Sequence, residues 1–310
     1  MDKFKTLMPW FRLVRLPNLL TVPGDALAGF LLAAATLSQQ PKNILIFATT
    51  GAALCLYLFG LILNDIMDIE IDRRERPDRP LPAGLISVHQ ARMAAIAMAL
   101  SGLNLALVAG RPALCLSAAL AGLIVLYNAL FKRIPILGVL TMGLCRGLSL
   151  LLGSVAAYPD LFTKSTSSSV PIFVAACGLT LYVAGFSEVA KNEMDESKPL
   201  TRTRWIPFFS LLFYLPAVLI TASTIRKFDS FTSAAYVFLM VMTLLRAWLL
   251  GGMLYRLQPI PVTVGGHIRN LLMVQACLCV TAGRAGLFPA AILVVISFVF
   301  KRLAARFYSS

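Results

Sequence analysis

Charge is what this sequence has least of. Asp, Glu, Lys and Arg make up only 14% of its 310 residues, while hydrophobic residues make up 58%; soluble domains carry about 25% charged residues. A water-soluble fold of this length cannot hide so much apolar surface, because more than half of any protein surface is apolar already. Histidine occurs only twice, at His89 and His267, too rarely for a histidine-ligated transition-metal centre. The six cysteines (Cys55, Cys115, Cys145, Cys177, Cys277, Cys279) lie in apolar stretches without a CxxC pair. They read as small buried hydrophobes rather than a disulfide or zinc framework. A mean hydropathy of +0.80 excludes disorder. No cleavable signal peptide is evident, since the first apolar run starts near Leu19 and has no A-x-A-like exit before Ser38. What is left is a polytopic, all-α membrane protein.

Acidic residues are the scarcer sign, 14 against 28 Lys and Arg, for a net charge of +14. That surplus fits loop loading at a membrane face better than a nucleic-acid partner. Segments long enough to span, about 20 apolar residues each, fall at 20–37, 44–63, 91–109, 113–130, 136–157, 170–187, 206–224 and 231–250. The tail from 268 to 300 holds two shorter runs split at Gly283-Arg284-Ala285-Gly286, so nine or ten spans are expected. With ten segments and a cytoplasmic amino terminus, twenty Lys and Arg fall on inside segments and six outside, with Arg146 and Arg246 inside spans. This is a clear positive-inside bias. It places two polar segments, 64–88 and 188–204, on the cytoplasmic side. The expectation is a single domain over 1–310, in two halves of about 1–157 and 158–310, in the inner membrane of a bacterium.

In Asn64-Asp65-Ile66-Met67-Asp68-Ile69-Glu70-Ile71-Asp72, a helix advancing 100° per residue puts Asp65, Asp68 and Asp72 on one narrow face between isoleucines. Like charges at these spacings destabilise a helix, and anions beside hydrocarbon are costly. Hard divalent cations prefer oxygen ligands, and Mg²⁺ binds one or two carboxylates together with substrate phosphates. A solvated helix pairing its acids with Arg73, Arg74 and Arg76 is the plainer alternative. Arg73, Arg76 and Arg79 follow in a loop stiffened by Pro77, Pro80 and Pro82. Guanidinium groups beside a carboxylate–Mg²⁺ face make a cradle for a diphosphate. In the second segment, Glu188, Asn192 and Asp195 share a helix face with Lys191 beside them.

Asn64-Asp65-x-x-Asp68-x-x-x-Asp72 followed by Arg76-Pro77-x-Arg79-Pro80-Leu81-Pro82-x-Gly84 resembles the first aspartate-rich motif of the UbiA superfamily of membrane prenyltransferases. Arg15-x-x-Asn18 and Tyr127-Asn128-x-x-x-Lys132-Arg133 extend the likeness. The resemblance implies a helical bundle, conventionally of nine spans, around a central cavity open sideways to lipid. It implies Mg²⁺ held by Asn64, Asp65, Asp68 and Asp72, and by Glu188, Asn192 and Asp195 in the second motif. It also implies substrate contacts from Asn18, Arg73, Arg76, Arg79 and Lys132, and catalytic parts for Arg146, Lys191 and Tyr127. The second motif departs from the family pattern, with the neutral Asn192 where an aspartate is usual. Arg15-Leu-Pro-Asn18 with Asp25, and Cys145-Arg146-Gly147, are similar to a UbiA-like subgroup of Ebo-type metabolite-export clusters.

The resemblance implies transfer of a prenyl group from a polyprenyl diphosphate to an aromatic or other lipophilic acceptor, among membrane lipids and without nucleic acid. The aromatic faces of Tyr57, Tyr127 and Tyr182 are available to a developing allylic cation. The competing expectations are a non-enzymatic component of metabolite-precursor export across the inner membrane and a lipid-binding scaffold. Arg146 inside a span calls for an anion or for Asp25 as partner. The orientation is checked by cysteine labelling: cysteines replacing Ser87 and Ser197 should react from the cytoplasm and one replacing Ser167 from the other side. The reverse pattern would overturn it.

Overall fold

The structure is a computed structural model and describes residues 2–39, 41–164, 166–191, 203–255 and 260–308. Those residues form helices throughout: α1 (Asp2–Leu13), α2 (Leu16–Leu19), α3 (Pro23–Thr36), α4 (Ile44–Met67), α5 (Ile69–Glu75), α6 (Val88–Ala109), α7 (Arg111–Ala129), α8 (Pro135–Ala157), α9 (Val170–Lys191), α10 (Ile206–Ile225), α11 (Ser230–Tyr255), α12 (Ile260–Val280) and α13 (Arg284–Tyr308). Among the described residues, seven helices are long and apolar enough to cross a membrane: α4 and α6 through α11. The other expected spans fall on helices that miss one criterion each. At 1.5 Å per residue the 14 residues of α3 reach only about 21 Å, short of a hydrocarbon core of about 30 Å. α12 interrupts its apolar run with buried Thr263, His267, Asn270 and Gln275. It also begins at Ile260, ahead of the tail starting at 268, because the polar residues from Thr263 to Asn270 mask its first turns.

Burial separates the inner helices from the lipid-facing ones. In the most apolar window of each helix, 61% of α8 and 67% of α9 is buried, against 22% for α6 and 28% for α7 and α10. The last three present large apolar side chains outward, among them Ile96, Val108, Val125 and Phe213, as lipid requires and water does not permit. α8 packs on α3 and α9, α4 on α6, and α12 lies against α3, α9, α11 and α13. The core joins Leu150 and Leu152 of α8, Leu179 and Tyr182 of α9, Leu211 and Leu215 of α10, and Leu271, Leu272 and Leu278 of α12.

The α3–α8 contact is made backbone to backbone. A Cβ on Gly153 would overlap the Ala26 carbonyl oxygen, and one on Gly29 would overlap that of Leu150. The Ser154 hydroxyl donates to the Gly29 carbonyl at 3.0 Å across the same crossing. Small residues permit this approach where lipid supplies no hydrophobic driving force between helices. On the opposite membrane face from the acidic segments, Asp229 accepts the Thr232 amide at 2.7 Å and pairs with Arg284 at 2.9 Å. Those donors hold its carboxyl down at about 2.

Gly153→Val should force α3 and α8 apart and cost about 1–3 kcal/mol, read as a lower unfolding midpoint in detergent. Gly122→Ala, on α7 with open space around it, should leave the midpoint unchanged or raise it. Equal effects of the two would contradict the close crossing.

Candidate functional site

A cavity of about 510 Å³ runs into the bundle between α2 and the segment after it, α4, α7, α8, α9 and α12. Along α4 it extends from Asn64 to Ala53, roughly 16 Å of helix axis. Its deep walls are apolar, with Val22, Leu120, Ile124, Val139, Val183 and Leu271. Its polar end carries Arg15, Asn18, Asn64, Tyr127, Lys132 and Lys191, and Arg146 stands deeper in. All three residues expected to be catalytic, Tyr127, Arg146 and Lys191, therefore line one space.

The acidic segment borders that polar end, and its helix is interrupted. α4 stops at Met67 and α5 starts at Ile69, so the single continuous helix expected through Asp72 is corrected to two pieces meeting at Asp68. Backbone bonds from the Asp68 amide to the Asn64 carbonyl (3.0 Å) and from the Asp72 amide to the Asp68 carbonyl (2.8 Å) carry the register across the break. Asp65 and Asp72 are buried and share one guanidinium: Arg79 Nη1 lies 2.7 Å from Asp72 Oδ2 and 3.8 Å from Asp65 Oδ1. Arg15 Nη2 reaches Asp65 at 3.6 Å, and Asp68 turns to Lys132 at the start of α8's approach. Asn64 Nδ2 lies 3.5 Å from Asp65 Oδ1.

Local structure explains why Arg79 and Arg15 serve this site. After α5 the proline-rich loop folds on itself, with the Ala83 amide bonded to the Arg79 carbonyl at 2.9 Å and that of Leu85 to Pro80 at 3.0 Å. Leu81 and Ile86 anchor it in a small core with Leu13, Ile62, Ala91 and Ala95, and Ser87 and Gln90 form a capping box that starts α6. Arg15, between α1 and α2, holds a left-handed backbone with φ of 48°, a conformation that costs a non-glycine residue energy and clusters at functional sites. Arg73 is not brought to the cavity; it pairs along its own helix with Glu70 at 2.7 Å. Arg76 is exposed beyond the end of α5, so of the three loop arginines only Arg79 meets the carboxylates.

Deeper in, Arg146 Nε lies 2.7 Å from Asp25 Oδ2, and neither side chain is more than 10% exposed. Arg146 Nη2 donates to the Thr21 carbonyl at 2.8 Å. Gln275 of α12 donates to the same carbonyl and to Asp25 Oδ1, each at 2.6 Å. Asp25 is thus the partner that a span-embedded Arg146 calls for, while Gln275 carried no signal in the sequence beyond one polar residue in an apolar run. Two further buried polar atoms on lining residues, Ser149 Oγ and Asn128 Oδ1, have no hydrogen-bond partner; both are free to meet a bound polar group. In the second segment Lys191 bonds the Pro135 carbonyl and lies 3.5 Å from Glu188. Asn192 and Asp195 lie outside the described residues.

The donor set Asp65, Asp68, Asp72 and Asn64 is all oxygen, as Mg²⁺ prefers. Among the described residues no three His, Cys, Asp or Glu side chains converge as a ready-made metal cage. That fits an ion completing its shell with substrate phosphates, which needs only one or two carboxylates from protein.

Known proteins share the family pattern and the fold. The pattern of the UbiA prenyltransferase family matches residues 25–261. A digeranylgeranylglyceryl phosphate synthase of Methanoculleus marisnigri is 32% identical over 168 residues, 54% of this chain and 58% of that protein. The chain spans a little over half the length of the curated relatives it matches. A UbiA homolog from Aeropyrum pernix superposes with a TM-score of 0.66 at 18% identity, covering 84% of this chain and 96% of that one. A UbiA homolog from Archaeoglobus fulgidus bound to DMAPP and Mg²⁺ gives 0.52 at 14% identity, covering 86% and 99%. The expected bacterial inner membrane is corrected here: relatives from Methanoculleus, Methanothrix and Saccharolobus are archaeal, and what stands is an integral membrane protein.

Arg146→Gln should leave Asp25 buried without a cation and destabilise the fold by about 3–5 kcal/mol. Adding Asp25→Asn should recover part of the loss, as a double-mutant cycle in detergent would measure. Additive losses would contradict the pair.

Proposed function

The chain belongs to the UbiA prenyltransferase family, and on that premise we propose that it moves a prenyl group from a polyprenyl diphosphate to the hydroxyl of a lipid built on glyceryl phosphate. The observation that carries this reading is the cavity itself, apolar along its length and cationic at one end. A prenyl tail takes the apolar part and its diphosphate the end held by Arg15, Lys132 and Lys191. The acceptor class follows the relatives, whose name describes a glyceryl phosphate carrying two geranylgeranyl chains; an aromatic acceptor has no such support.

In this reading Asp65, Asp68 and Asp72, with Asn64, would hold Mg²⁺, which would supply positive charge to the diphosphate; a UbiA homolog has been solved bound to DMAPP and Mg²⁺. Arg79 and Arg15 keep the carboxylates from repelling one another and set where their oxygens stand. Lys132 and Lys191 offer ammonium groups to the leaving diphosphate as its charge grows, the kind of electrostatic help that is strongest where water is excluded. The allylic C–O bond breaks with its electron pair going to the diphosphate. Tyr57 and Tyr127, both near Arg15 at the cavity wall, turn π faces to the allylic carbon. The acceptor hydroxyl oxygen attacks that carbon and gives its proton to an oxygen of the carboxylate–diphosphate layer. Asn128 Oδ1 and Ser149 Oγ are the unpaired groups left to orient the acceptor.

Purified protein given Mg²⁺, labelled geranylgeranyl diphosphate and geranylgeranylglyceryl phosphate should release diphosphate and form a labelled diether lipid. Asp65→Asn and Asp68→Asn should each lower the rate by about 10²-fold or more, and a chelator should abolish it. Turnover surviving the chelator and both substitutions would overturn the metal assignment. Transfer to a phenolic acceptor in preference to the glyceryl phosphate would overturn the acceptor class.

A further inference from the structure

Arginine within a membrane span needs an anion or a polar cavity. Arg146 has Asp25, but two others do not. Arg246 on α11 and Arg269 on α12 have no carboxylate in reach among the described residues. Arg269 falls at the start of the tail run expected from 268; the structure puts it well inside α12, which starts at Ile260.

The two helices follow each other in the chain and pack together, so they run antiparallel. Arg246 lies nine residues before the end of α11 at Tyr255, and Arg269 nine after the start of α12 at Ile260. Both therefore stand at one depth, roughly 13 Å in from the helix ends. Each is half-buried, and their like charges act on each other. Arg246 Nη1 donates to Ser297 Oγ of α13 at 3.0 Å, bringing a third helix to the same spot. Behind them, Tyr182 OH lies 3.2 Å from His267 Nδ1 and 3.3 Å from Asn270 Nδ2, a polar layer that faces the arginines from the bundle interior.

The prenyl cavity does not account for the pair. Val264, Ile268 and Leu271 line it from α12, α11 contributes nothing to it, and at 100° per residue Arg269 points 100–160° away from those three. On α11 and α13 the positions flanking Arg246 and Ser297 are apolar and exposed, namely Leu245, Leu249 and Phe298. Guanidinium pairs fit phosphate oxygens through parallel hydrogen bonds, and an apolar rim at this depth suits acyl or prenyl tails.

We propose that Arg246, Arg269 and Ser297 form a second site, on the far side of α12 from the cavity, that holds the phosphate of an anionic amphiphile drawn from the bilayer. This site stands independently of the prenyl-transfer reading. It is tested on the purified full chain in neutral detergent by native mass spectrometry. The probes are dioleoyl phosphatidic acid, dioleoylglycerol with the same tails and no phosphate, and inorganic phosphate as competitor. The expected result is retained phosphatidic acid whose apparent affinity falls about tenfold or more in the Arg246→Gln, Arg269→Gln double variant. Dioleoylglycerol should bind equally to both proteins, and millimolar inorganic phosphate should not displace the lipid. Equal retention of phosphatidic acid by the double variant would overturn the site; displacement by inorganic phosphate would overturn the lipid as its occupant. If the double variant does not fold, Arg269→Gln alone carries the same comparison, with Arg269→Lys expected to restore most of the binding.

Discussion

A carboxylate beside hydrocarbon has to be neutralised, and the arrangement of this bundle follows from how that is done. Asp25, Asp65 and Asp72 are all buried, and each has a cation at hand from a different part of the chain. The cost of removing an ion pair from water is offset only when geometry is good and the remaining hydrogen bonds are satisfied. Thr21, Gln275, Arg15 and Arg79 supply those partners. Five helices, α3, α4, α5, α8 and α12, and the segments carrying Arg15 and Arg79 are thereby held in register around the cavity.

The two charged layers differ in kind. The deep pair, Asp25 with Arg146, sits where α3, α8 and α12 meet, and its partners are rigid helix positions and a backbone carbonyl. The shallow cluster uses a loop arginine and an arginine in a left-handed backbone, with Lys132 on a short turn before α8. The shallow cations thus stand on loops and turns at the polar end, while the deep pair stands on packed helices.

Much of this was legible in the sequence because it is local. Span positions follow from apolar runs, and the position of the acidic segment at the end of α4 follows from where the second run stops. What escaped was long-range or irregular. Nothing in the run Arg73-Arg74-x-Arg76-x-x-Arg79 says which arginine returns to the acids; that depends on how prolines fold the loop onto Leu13 and Ile62. The break at Asp68 is invisible to an ideal helix. Gln275 meets Asp25 across 250 residues, a pairing that only the packed bundle creates. The first turns of α12 were hidden by the polar residues that the neighbouring helices bury.

That last contact also bears on the order in which the molecule is built. α3 leaves the ribosome well before α12, yet α12 supplies Val264, Ile268 and Leu271 to the cavity wall and Gln275 to the Asp25 carboxylate. Until α12 arrives, the nascent bundle holds a cavity open on the α12 side, with Asp25 lacking one of its two partners. Contacts of such sequence separation form late and slowly, and incompletely packed intermediates are prone to misassembly. The cavity is therefore completed only once α12 has been made, and a product stalled before it keeps most charges of the site without the enclosure that would let them act on a substrate.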